Sequence, residues 1–148
     1  MTIDPDLQGR SYPAGDTYSV GREAIRDFAR AVKATHPAHF DVDAAGALGH
    51  ADLVAPPTFA IIVAQRADAQ LISDPSAGID FTRVVHAEQR FAHTRPIVAG
   101  DRLVVTVSID AVRSAGGHDL VTTRGEITTE DGEGVCTATS TLLVRGAE

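Results

Sequence analysis

Cysteine is nearly absent: Cys136 is the only one in 148 residues. A single thiol excludes an internal disulfide and is compatible with a reducing compartment. It falls inside a strand-like run, which predicts an inert buried thiol rather than a nucleophile. Positive charge is also scarce. Lys and Arg total 13 against 20 Asp and Glu, giving a net charge of −7 and a pI near 5.2. That balance argues against nucleic acid and anionic membranes as partners, because both select basic surfaces. No apolar run approaches membrane-spanning length, and the opening MTIDPDLQGR has neither the basic cluster nor the apolar core of a signal peptide. The expected location is the cytoplasm. Dense sets of metal-ligating side chains are missing too. His36 and His39 stand three apart around Pro37, but Cys136 is far off in sequence, so neither a metal nor a cofactor is expected. Internal repeats, low-complexity tracts and linkers are absent.

What is present is ordinary for a globular protein: 43% hydrophobic and 22% charged residues. The length fits one domain over residues 1–148, with enough chain for a substantial core. That core is organised around Ala55 to Pro75, APPTFAIIVAQRADAQLISDP. The pattern predicts one helix from near Pro57 to Leu71 or Ile72. Proline suits the first helical position, where its missing N–H has no intrahelical partner, and Pro75 marks the far boundary. Phe59 to Ala64 is apolar throughout, which predicts burial on all sides. Gln65, Arg66, Asp68 and Gln70 predict a wetter second half. Ala60, Ala64 and Ala67 form a narrow stripe of small side chains over which a sheet can lie close.

Ahead of that helix, residues 1–15 are polar and turn-rich and read as an irregular arm. Residues 16–20 alternate and predict a short strand. Ala24 to Val32 shows helical periodicity, with Glu23–Arg26 and Asp27–Arg30 pairs on the charged side. This helix should stop before His36-Pro37. The long connection THPAHFDVDAAGALGHADLVAPP follows, with Asp43 as the expected cap of a short helix over 44–48 and Gly49 closing it. Connections this long inside compact domains are commonly functional or disordered, and Phe40, Val42, Leu48, Leu53 and Val54, available for packing, favour a functional one. Beyond residue 80 the character is β, with runs at 82–91, 102–113, 118–128 and 134–144 joined by turn-forming links. Leu103, Val105, Val107 and Ile109 alternate with Val104, Thr106, Ser108 and Asp110, which predicts one packed face and one wetter face. Sequential pairing of the four runs predicts an antiparallel meander.

A strand, a helix, a long loop, a buried helix and four long strands make an α+β layout. It is easiest to satisfy if a curved antiparallel sheet wraps the long helix, as in the hot-dog fold. One helix and one sheet leave an open sheet edge, so a dimer or heterodimer is expected.

The segments YSVGREAIRDFARAVKATHPAHFDVDAAGALGHADLVAPPTFA and RPIVAGDRL resemble the MaoC-like dehydratase family, which includes R-specific enoyl-CoA hydratases and (3R)-hydroxyacyl-ACP dehydratases. The likeness spans about residues 10–145 and is nearest to the HadA- and HadC-like subunit type. It implies work on the α,β double bond of an acyl-ACP or acyl-CoA thioester in fatty-acid metabolism. Such chemistry needs an activated water, a proton delivered to carbon and a stabilised enolate-like oxygen. In catalytic members the loop reads like Gly-Asp-x-Asn-Pro-x-His. The Asp and His move protons, and backbone N–H groups at the helix start polarise the thioester. Aligned on Pro37, His39 takes the histidine's place, but Ala34 stands where the aspartate belongs and His36 where the asparagine does. A methyl group neither accepts a proton nor orients a water. Pro56 and Pro57 stand where backbone donors are wanted, and losing one such donor typically costs an enzyme ~10²–10³ in rate. The resemblance therefore implies a non-catalytic chain. It would pair with a catalytic MaoC-like subunit and supply wall for the acyl tail. Pro57, Thr58, Phe59, Ile61 and Ile62 are the candidate wall residues, and plain core packing accounts for each of them equally well.

Other readings stay open. A homodimeric acyl-thioester-binding or regulatory module needs no catalytic partner. A self-sufficient hydratase would use His39 with Asp41, although residues two apart point to opposite sides of an extended loop. A hot-dog thioesterase would carry a carboxylate on or near the central helix. Here the first acid on that helix is Asp68, about three turns in, on the half expected to be wet, which counts against it. His50, His86, His93 and His118 are scattered and read as surface or satisfied histidines.

Overall fold

The computed structural model describes residues 3–146. Its elements run β1 (Tyr18–Ser19), α1 (Arg22–Ala31), α2 (Val42–Ala47), α3 (Ala60–Ile72), β2 (Val84–His93), β3 (Arg102–Ala115), β4 (His118–Thr129) and β5 (Gly134–Val144). α1 closes on Lys33, whose φ of 59° is left-handed. There the Ala34 N–H reaches the Ala29 carbonyl at 2.8 Å and the Lys33 N–H reaches that of Arg30 at 3.1 Å, the bond pattern that satisfies a helix's last carbonyls. α2 begins two residues earlier than expected. Asp41, not Asp43, accepts the N–H of residue 43 at 3.0 Å, and Asp43 lies in the first turn, where a carboxylate suits the helix dipole. Gly49, with φ of 91°, follows its end as expected. α3 is entered through a 3₁₀ turn over Pro57–Phe59, since proline fixes φ and has no N–H to place in the ladder.

The sheet is antiparallel, with strand order β1-β3-β4-β5-β2. β3, β4 and β5 form the expected meander, but β2 does not join it beside β3. It lies at the far edge against β5, from Val84 opposite Val144 to His93 opposite Cys136. Its link to β3 cannot be a hairpin turn, because Arg95–Asp101 is engaged elsewhere. The Ala55 N–H bonds the Ile97 carbonyl at 2.8 Å and the Ala99 N–H bonds that of Leu53 at 2.9 Å. Irregularities at His86/Glu88, Ile109/Ala111 and Ile127/Thr128 add the bend and twist that curl the sheet around α3.

The stripe of small residues does what its spacing predicts. Ala64 lies under Gly125 of β4, where a Cβ would come 3.3 Å from Val105 Cγ1 and 4.0 Å from Ala64 Cβ. Phe59 is fully buried, edge-on to Phe28 at 5.5 Å and to Tyr18 at 6.3 Å between ring centroids. Ile61 and Ile62 depart from the expectation of burial all round: both stay partly exposed, because the sheet covers only one side of α3. The N-terminal arm is irregular but docked. The Gly9 and Tyr12 N–H groups each bond β3 carbonyls at 2.8 Å, and Ile3 and Leu7 are buried with Leu71, Ile109 and Val121. Among the described residues no helix is long and apolar enough to cross a membrane.

Candidate functional site

The loop between α1 and α3 is built from successive caps and backbone clasps. His36 Nδ1 accepts the Ala38 N–H at 3.1 Å and opens the 3₁₀ turn Pro37–His39. Arg26 Nε donates to the Phe40 carbonyl at 3.1 Å, and Arg22 forks onto Asp52 at 2.9 and 3.0 Å. The Val54 N–H bonds the Ala38 carbonyl at 3.0 Å, and Val54 bridges to Val98. The chain around position 39 is thereby pinned to the segment that feeds α3.

His39 is half-buried, with Nδ1 2.6 Å from the Val54 carbonyl oxygen. A carbonyl only accepts, so Nδ1 carries the proton and Nε2 of the neutral ring is left with a lone pair. That tautomer suits a general base. Two carboxylates of the loop are committed elsewhere: Asp41 caps α2 and Asp52 holds Arg22, while Asp43 lies in the first turn of α2. The structure does not bring Asp41 to His39 as a pair. Ala34 lies just past the end of α1, its N–H spent on the Ala29 carbonyl.

At the mouth of α3, His93 Nε2 lies 2.8 Å from the Pro57 carbonyl oxygen and so donates to it. Pro56 is buried, Pro57 and Thr58 are exposed, and Ile61 and Ile62 are intermediate. Four of the five candidate wall residues therefore reach the surface at the start of α3, while Phe59 is turned into the core. The adjoining segment is clamped by Arg95, which forks onto Asp101 at 2.9 and 3.0 Å. Asp101 also accepts the Val98 N–H at 2.9 Å.

The further half of α3 reaches solvent as expected, with Gln65, Arg66 and Ile72 exposed, but Asp68 is half-buried. Asp68 shares a cavity of about 480 Å³ with Gln65, Ile72, Val84, His86 and Leu142, among others. Burial pushes its carboxyl up from 3.8 to about 6, and nearby His86 opposes that shift. Residues 86 and 93 read as scattered histidines in sequence, but both sit on β2 alongside α3. Only the pairing of β2 with β5 puts them there. Cys136 is buried, and that burial raises its thiol to about 11.

A long helix held in a curved antiparallel sheet, with a histidine loop pinned at the helix mouth, defines a hot-dog domain of the dehydratase kind. Residues 6–138 match the family model described as the FAS1-like, dehydratase domain region, and the chain belongs to that family, within the MaoC-like hot-dog group. It is 56% identical to UPF0336 protein Lxx02810 of Leifsonia xyli, covering 100% of this chain and 99% of that one. It is 50% identical to UPF0336 protein SCO4636 of Streptomyces coelicolor, with the same coverage. Among solved structures it superimposes on the HadBC (3R-hydroxyacyl-ACP dehydratase) complex of Mycobacterium tuberculosis. There the TM-score is 0.84 at 41% identity, over 93% of this chain and 97% of that one. A MaoC-like dehydratase gives a TM-score of 0.88 at 36% identity, over 95% of this chain but 43% of that longer one.

Proposed function

We propose that this chain is the non-catalytic, acyl-chain-accommodating subunit of a heteromeric (3R)-hydroxyacyl-ACP or -CoA dehydratase acting in the cytoplasm. The observation that carries the reading is the state of its histidine loop. His39 is held in the tautomer of a base, yet position 34 offers a methyl group, Asp41 is spent on a cap and Asp52 on an ion pair. Moving protons across a thioester's double bond needs a second group to deliver or orient them. Similarity to HadBC, a dehydratase complex, supports a composite enzyme in which another chain supplies that group. Pro57, Thr58, Ile61 and Ile62 are the proposed acyl-facing wall, with Phe59 behind them as its fixed support. The partner, a catalytic MaoC-like chain, would add to the free outer edge of β2, a strand of 10 residues at the end of the sheet.

The test is crotonyl-CoA hydration by the purified chain alone and after co-expression with a MaoC-like chain carrying an intact Asp-x-Asn-Pro-x-His loop. Activity only in the co-expressed complex is expected. Hydration by the isolated chain overturns the reading. The His39 tautomer would then favour a self-sufficient hydratase, recognisable by loss of that activity in His39→Ala.

A further inference from the structure

One side of α3 is left open. Ile61, Gln65, Asp68 and Ile72 follow at spacings of four, three and four, so they form one stripe along the helix. Ile61 is half-buried and Ile72 is 54% exposed, whereas Ala60, Val63, Ala64, Ala67 and Leu71 are buried. The cavity places the stripe on the β2 side, since Gln65, Asp68 and Ile72 share it with Val84 and His86 of β2 and Leu142 of β5. β2 is the outermost strand there, and its Val85 is 47% exposed. If a second hot-dog chain adds a strand to this edge, two-fold pairing brings its own helix towards the stripe.

The stripe is apolar at both ends and acidic near its middle. The groups that face Asp68 are Gln65 from its own helix, His86 from β2, Ser140 and Leu142 from β5, and Phe81 from the turn before β2. His86 is the only titratable one among them, and its Nε2 lies 3.1 Å from the Glu88 carbonyl. Half-buried, the carboxyl is pushed up to about 6 by burial, which outweighs the opposing pull of His86. In a two-fold pair both copies present the same patch. If two antiparallel α3 helices meet at the middle of the stripe, their Asp68 positions are offset by only about 4.5 Å along the axis. Two carboxylates so placed repel in surroundings less polar than water.

We infer that Asp68 makes this face choose its partner: two copies of the chain pair poorly through it, and a hot-dog chain that sets a Lys or Arg against Asp68 pairs well. Charged residues are depleted from interface cores unless a partner group answers them, and a chain of net charge −7 is complemented by a cationic face. The inference rests on the edge-pairing part of the proposed function and not on its chemistry.

The test uses this chain alone, with Asp68→Asn and Asp68→Lys, by sedimentation and native mass spectrometry. Near-UV circular dichroism checks that each variant keeps the fold. At pH 8 Asp68→Asn should self-associate about tenfold more tightly than wild type. Wild-type self-association should strengthen as the pH falls towards 6, and that of Asp68→Asn should not. In an equimolar mixture of wild type and Asp68→Lys, mixed dimers should exceed the one-half share of random pairing. Equal affinities for wild type and Asp68→Asn, a random share in the mixture, or no pairing in any combination each refute the inference. None of these readouts depends on dehydratase activity, so the proposed function can fail while the inference stands, and the reverse.

Discussion

His39 Nδ1 and the Val54 carbonyl oxygen lie 2.6 Å apart, so this histidine is the bolt that fastens its loop to the entry of α3. In the proposed complex with a catalytic chain, His39→Ala is expected to change kcat/KM by less than about threefold, against the ~10²–10⁴ that a working general base contributes. The same substitution should cost roughly 1 kcal/mol of stability through the lost bond. Steady-state hydration and urea denaturation of the variant check both; a hundredfold loss in rate would return His39 to the catalytic machinery.

Gly125 is where β4 passes closest over α3. A Cβ there meets Val105 Cγ1 at 3.3 Å and the Ala138 carbonyl oxygen at 3.7 Å, so Gly125→Val overfills a packed layer. The expected cost is about 1–3 kcal/mol, read as a lower urea midpoint at unchanged slope.

Asp101 closes the segment between β2 and β3, with its side chain 11% exposed. Replacing it by alanine leaves the Val98 N–H and the Arg95 fork without their acceptor. A loss of roughly 1–3 kcal/mol is expected in chemical denaturation. The effect should be largely insensitive to salt, because the lost groups are partly shielded from solvent.

Lys33 ends α1 at a φ of 59°, a region an L-residue enters at a cost of about 1–2 kcal/mol. Lys33→Gly removes that strain but adds freedom to the unfolded chain. The net expectation is a gain of up to about 1 kcal/mol, seen as a raised Tm.

Asp68 gives the stability a pH dependence of definite sign. Its carboxyl titrates near 3.8 when exposed and near 6 in the fold because burial disfavours the charge. Between those values the folded state holds the extra proton, so the stability this group contributes is lost as the pH rises through 6. Asp68→Asn should therefore match wild type below pH 4 and gain on it between pH 4 and 6. Above pH 7 the gap should stay constant. Thermal melts at low protein concentration, across pH 3.5 to 8, measure it.

Much of this was legible in the residues themselves. Helix and strand identity followed from local periodicity: Ala60, Ala64 and Ala67 announced a close sheet contact, and the strands of the meander carried their own alternation. Caps were legible only to within a turn, since Asp41 and Asp43 offer the same chemistry and only the backbone path chose between them. What tertiary structure alone decided was which distant segments share a surface. Local pattern cannot say that β2 leaves its neighbour β3 to pair with β5, because β-strand partners are set by the competition of long-range packing. Nor can it say that Asp68 sits half-buried beside His86, or that one side of α3 stays open. Periodicity reports how a segment divides its faces; only the assembled sheet determines what each face meets.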